Sequence, residues 1–183
     1  MRHRLPLLAF ALALASTLPA VGEEKSFEAS VFVEPGGSYS DHNGLDIDTG
    51  LGAGFGWRFA PHWTAEARFS QNDAESSTDI ESYQLGLRYA FGDTDARWRP
   101  FVAGGLHLGQ VEVRREVVCV AGPCPALEQS FDETGLFAGG GVDWQLSGWF
   151  AVRFEGRLLI YDSELYDDIE EDPDLLVGAV FRF

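Results

Sequence analysis

Two cysteines, four histidines and 29 acidic side chains set against 13 basic ones are the groups in this sequence that could do chemistry. Cys119 and Cys124 close the short motif Cys-Val-Ala-Gly-Pro-Cys. In an exported chain with two cysteines this spacing predicts a disulfide that shapes a loop tip. A zinc site is the other reading, but two sulfurs with no nearby histidine fall short of four ligands. The segment from Asp162 to Asp174 packs eight carboxylates into thirteen residues. It reads either as a solvated run or as a site for a hard divalent cation, although its order of ligands does not match an EF-hand loop. His107 lies between Leu106 and Leu108, and neither it nor His42 is accompanied by an evident nucleophile and acid. No catalytic residue, metal ligand or cofactor site is therefore assigned.

A third set of charges is defined by position rather than by clustering. Glu28, Arg58, Glu66, Arg68, Arg88, Asp143, Arg153, Glu155 and Arg157 each fall on the polar side of a segment that alternates polar and apolar residues. Alternation at period two is the mark of a strand with two unlike faces. Eight such segments can be read. The first runs from Ser26 to Glu34, with Phe27, Ala29, Val31 and Val33 on its apolar side. The second, Ile47 to Phe59, sets Leu51, Ala53, Phe55, Trp57 and Phe59 against Gly50, Gly52, Gly54, Gly56 and Arg58. A row of glycines on one face suits a narrow barrel interior, where a missing side chain makes room for a larger neighbour.

A tight turn at Ala60-Pro61-His62 leads to the third strand, Trp63 to about Gln71. A polar segment, Asn72 to Asp79, precedes a fourth with Tyr83, Leu85, Leu87, Tyr89 and Phe91 on its apolar face. The fifth, Phe101 to about Val113, has two rows of small or apolar residues, and its facing and that of His107 stay open. The nineteen residues from Arg114 to Asp132 read as the longest connection. Glu133 to Leu146 and Trp149 to Tyr161 follow as a hairpin around Ser147-Gly148, and Leu175 to Phe183 is the last strand. There Leu175, Val177, Ala179, Phe181 and Phe183 share one face. A strand so placed needs a partner, and pairing with the first strand closes a barrel through Phe181 and Phe183.

Met1-Arg2-His3-Arg4, an apolar run from Leu5 to Leu18, and small residues at Ala20 and Gly22 form the pattern of a secretory signal peptide over 1–22. The run is shorter than the ~20 residues of a spanning helix. The remaining 23–183 suits one domain. Its formal charge falls from −16 to −18 when the two arginines of the leader depart, which argues against nucleic acid as a partner. Aromatic residues gather near one end of the apolar faces: Phe27, Trp57, Phe59, Trp63, Tyr89, Phe91, Phe101, Trp144, Phe150, Phe181 and Phe183. Such a girdle is expected where a barrel meets the membrane interface. A soluble eight-stranded barrel would alternate in the same way, but its polar row would carry lysine and threonine facing water.

The mature chain resembles the eight-stranded outer-membrane barrel domain of the OmpA/OmpX type. The resemblance rests on Trp98-Arg99-Pro100-Phe101-Val102-Ala103-Gly104-Gly105, Gly139-Gly140-Gly141-Val142-Asp143-Trp144, Trp149 to Glu155 and the final Phe. It implies an all-β, antiparallel up-and-down transmembrane barrel in the outer membrane of a Gram-negative bacterium, with both termini periplasmic. It further implies partners in outer-membrane lipid, lipopolysaccharide and the barrel assembly machinery, and a monomeric state. The peptidoglycan-binding domain of full OmpA proteins is not expected here. The expected role is structural or surface-interacting, through acidic outer loops with an unidentified ligand; a narrow porin-like channel and a lipid A-modifying enzyme are the alternatives.

Overall fold

The computed structural model describes residues 26–34, 38–39, 45–46, 49–74, 78–115, 127–163 and 168–183. Their strands are β1 (Ser26–Glu34), β2 (Ser38–Tyr39), β3 (Leu45–Asp46), β4 (Gly50–Ala60), β5 (Trp63–Ala74), β6 (Thr78–Ala90), β7 (Trp98–Arg115), β8 (Leu127–Gln145), β9 (Phe150–Ser163) and β10 (Asp168–Arg182). Eight of them form a closed barrel in the order β1-β10-β9-β8-β7-β6-β5-β4, while β2 and β3 pair only with each other. Every barrel pairing is antiparallel. The seam is made by β1 and β10, with Ala29 opposite Phe181 and Val31 opposite Ala179. Next to it the backbone N–H of Phe27 donates to the carbonyl of Phe183 at 2.9 Å, and that of Phe183 donates back to Phe27 at 3.0 Å. Closure leaves no free edge through this part of the wall.

The outer face is apolar and bare. Leu51 is 63 % exposed and Leu136 58 %, and Leu85, Leu106, Val102, Phe154 and Leu175 stand out in the same way. So wide an apolar surface is incompatible with water and suited to lipid. One end carries the aromatic girdle: Trp98 stacks on Trp144 with centroids 5.2 Å apart, Trp63 meets Tyr89 at 5.0 Å, and Phe150 meets Phe181 at 5.4 Å. Phe101 is not part of it. Its side of β7 faces inward with Ala103, His107 and Val111, and Phe101 itself is buried.

At the girdle end the strands are joined tightly, through Pro61 and His62 between β4 and β5 and through a turn at Ser147, whose N–H donates to the Phe150 carbonyl at 3.1 Å. Residues 91–97 join β6 to β7, and Gly92 adopts a φ of 77° there, a conformation that costs a side-chain-bearing residue strain.

At the opposite end the strands outrun the sequence reading. β5 and β6 continue to Ala74 opposite Thr78, so residues 75–77 alone lie between them, where eight residues read as a connection. β7 and β8 pair as far as Arg115 opposite Leu127, which reduces the nineteen-residue connection to 116–126. β10 begins at Asp168, so much of the acidic run is strand paired to β9, not a loop. The reason is physical. Beyond the length a span needs, a strand requires no apolar row, so the sequence there carries no alternation and only the hydrogen bonding reveals the strand. A span needs about 9–11 residues, and β7 and β8 have 18 and 19. The wall is low at β1 and β4, with 9 and 11 residues, and high elsewhere.

Candidate functional site

Charged side chains cross the interior of the barrel in tiers. The lower tier, nearest the girdle, is centred on Arg88 of β6. Its Nη2 donates to both carboxylate oxygens of Glu28 at 2.6 Å, its Nε to Glu66 at 2.5 Å and its Nη1 to Asp143 at 3.2 Å. Arg153 of β9 bridges the same three acids: Nε to Asp143 at 2.7 Å, Nη1 to Glu66 at 3.2 Å and Nη2 to Glu28 at 3.3 Å. Arg58 reaches Glu28 at 3.3 Å and Arg182 reaches Asp143 at 2.6 Å. Shared carboxylates of this kind satisfy charges that would be very costly to bury alone. Phe101 fills the space beside them, with the guanidiniums of Arg88 and Arg153 lying 5.3 and 5.0 Å from its ring centre.

The second tier joins Arg68, Glu155 and Arg157. Arg68 Nη2 donates to Glu66 at 2.7 Å and to Glu155 at 2.9 Å, linking the tiers. Arg157 donates through Nε to Glu155 at 2.8 Å and through Nη1 to Gln84. Phe137 lies under Arg157 at 4.9 Å and packs within the lumen cluster of Ala90, Phe101, Ala103, Leu159 and Tyr161. Above this tier His107 is buried, with Ser82 Oγ 3.3 Å from its Nδ1 and the Tyr161 ring 5.7 Å away. Glu133 and His107 Nε2 approach each other over Gly109, within 2.9 and 3.2 Å of where a Cβ would stand there. At the far end Glu34 bonds to the side chains of Ser70 and Asn72 across β4. This crossing is possible because Gly50 and Gly52 present no side chains; a Cβ on Gly50 would overlap Asn72 Oδ1.

The structure thus places all nine charged residues read from the alternation inside the lumen and brings them together. The charged set read from the sequence does not include Arg182, Arg99, Gln84 and Glu34. Alternation puts Arg182, Glu34 and Gln84 on the inner rows of their strands, whereas Arg99 precedes the strand read from Phe101, whose facing the sequence does not fix. Cys119, Cys124 and His42 lie outside the described residues, as does part of the acidic run. Among the described residues no group of three His, Cys, Asp or Glu is arranged to hold a metal ion. No helix among them is long and apolar enough to cross a membrane, which says nothing of a barrel.

The family profile described as the outer membrane protein beta-barrel domain matches residues 7–183. No curated protein matches the sequence. Among solved structures, the N-terminal β-barrel domain of Pseudomonas aeruginosa OprF is similar at a TM-score of 0.61 and 15 % identity, covering 86 % of this chain and 97 % of that one. Neisserial surface protein A gives 0.60 and 13 %, covering 87 % and 97 %. The attachment invasion locus protein Ail of Yersinia pestis gives 0.58 and 16 %, covering 88 % and 100 %. At these identities the likeness is one of fold.

Proposed function

Since the chain belongs to the outer membrane protein beta-barrel domain family, we propose that it is a small outer-membrane protein with a structural or surface-interacting role. The observation that carries this reading is that two tiers of ion pairs and the rings of Phe101 and Phe137 cross the lumen. A barrel filled in this way offers its two ends and its lipid face, not its axis, to other molecules. Short turns at the girdle end and tall strands at the other support an orientation with the girdle end and both termini in the periplasm. The outer side then carries the acidic segments, including the β10 edge beyond the β1 pairing, where Glu171, Asp172 and Asp174 lie. Outer-membrane lipid and lipopolysaccharide surround it as a monomer, and the closing strand with Phe181 and Phe183 engages the assembly machinery. A surface ligand would be recognised there, by outer segments that include the Cys119–Cys124 disulfide.

Planar-bilayer recording tests the reading. The purified protein is expected to give no steady current above the bare bilayer, and a reproducible ohmic conductance would replace this function with the porin-like one. A lipid-modifying role is the remaining alternative, and an altered lipid A profile in cells producing the protein would favour it.

A further inference from the structure

Among the described residues, the girdle end of the lumen holds more cationic than anionic side chains. Five guanidiniums, of Arg58, Arg88, Arg99, Arg153 and Arg182, meet three carboxylates, of Glu28, Glu66 and Asp143, and Glu66 is also shared with Arg68. Arg99 has the poorest share. It is 2 % exposed, its Nη2 donates to the carbonyl of Pro61 at 2.8 Å, and its Nε has no partner. Its strongest charged neighbours are Arg58, Arg182 and Arg88, with Glu28 the one of opposite sign among those that act most on it. Arg182 is paired with Asp143 at 2.6 Å through Nη2, but its Nε makes no hydrogen bond and lies 3.9 Å from Glu28. Arg58, the most accessible of the group, has one contact to Glu28 at 3.3 Å among the described residues. Asp93 and Asp95, in the turn at the same end, are exposed, and neither is paired with Arg99 among the described residues.

A guanidinium held away from water without a counter-charge is costly, and its planar fork matches a phosphate or carboxylate. We infer that Arg99, Arg58 and Arg182 form an anion-binding site at the turn end of the barrel, taking a phosphate or carboxylate group that enters from that side. Under the orientation proposed above this is the periplasmic side, but the site does not depend on that orientation. Two sources of such a group exist: a free anion, and the chain's own Glu23 and Glu24, which shortly precede Ser26 in sequence.

Isothermal titration of the folded protein in zwitterionic detergent, at low ionic strength, with inorganic phosphate distinguishes them. A saturable heat in the native protein that weakens roughly tenfold or more in Arg99→Gln, and not in Asp93→Asn, supports the site with a free anion. No heat in the native protein but saturable binding in Glu23→Gln/Glu24→Gln supports the site with the chain's own carboxylate in residence. No saturable heat in either protein, or equal affinity in Arg99→Gln, overturns it. Each variant is first checked for a heat-modifiable band shift on gels; should Arg99→Gln fail to fold, Arg58→Gln carries the same expectation.

Discussion

Asp143 receives three guanidiniums, from Arg88, Arg153 and Arg182, at distances from 2.6 to 3.2 Å, and is 0 % exposed. Replacing its carboxylate by an amide keeps the shape and removes the charge that three cations share. Asp143→Asn is therefore expected to destabilise the barrel by about 3–5 kcal/mol, the cost of breaking a buried ion pair. Urea unfolding in lipid vesicles measures this, with Glu81→Gln as a comparison expected to change little, since its partner is the exposed Tyr83 hydroxyl at 3.1 Å. Residues of this kind were legible because each stands opposite an apolar neighbour. Their partners were not: Glu28 and Arg88 are 60 positions apart in the chain, and only closure brings them together. The cysteines are a separate matter. Alkylation followed by mass spectrometry is expected to label Cys119 and Cys124 only after reduction, and so short a loop adds at most about 2 kcal/mol to stability.

At the scale of the strands, a glycine inside the wall and one in a turn have unequal consequences. Gly105 of β7 faces Gly86 of β6, and a Cβ on it would run into the Leu85 carbonyl and the Gly86 Cα, backbone that cannot step aside without shifting the sheet. Gly148 in the β8–β9 turn faces open space. Gly105→Ala is expected to cost about 1–3 kcal/mol by overpacking, and Gly148→Ala next to nothing. Comparing their urea midpoints, with the loss of the fast-migrating folded band as a second reading, decides the point. The glycine row of β4 and the facings of seven of the eight strands were readable at this scale, because the apolar row must meet lipid. β7 alone resisted, since Ala103, Gly105 and Gly109 inside and Gly104 outside give no contrast. The upper ends of the strands escaped notice for a different reason: from Asp168 to Asp174 the sequence has no apolar row to betray a strand.

For the molecule as a whole, the question is whether the ion pairs seal the lumen or gate it. Arg153 is the residue to ask, because it ties Glu28, Glu66 and Asp143 together from one position. In Arg153→Ala the lower tier loses a guanidinium and its packing on Phe101, yet Arg88 still contacts all three acids. Above it, Arg68, Glu155 and Arg157 remain paired, and Phe137 remains beneath Arg157. If the lumen is sealed, both tiers share the seal, and removing one side chain is expected to leave it closed. Arg153→Ala is thus expected to lower stability by several kcal/mol while its current in a planar bilayer stays as small as that of the native protein. Discrete openings in the variant that the native protein lacks would mean that the lower tier alone holds the lumen shut. The ion pairs would then be a gate, and the outer surface would lose its standing as the place where the protein acts.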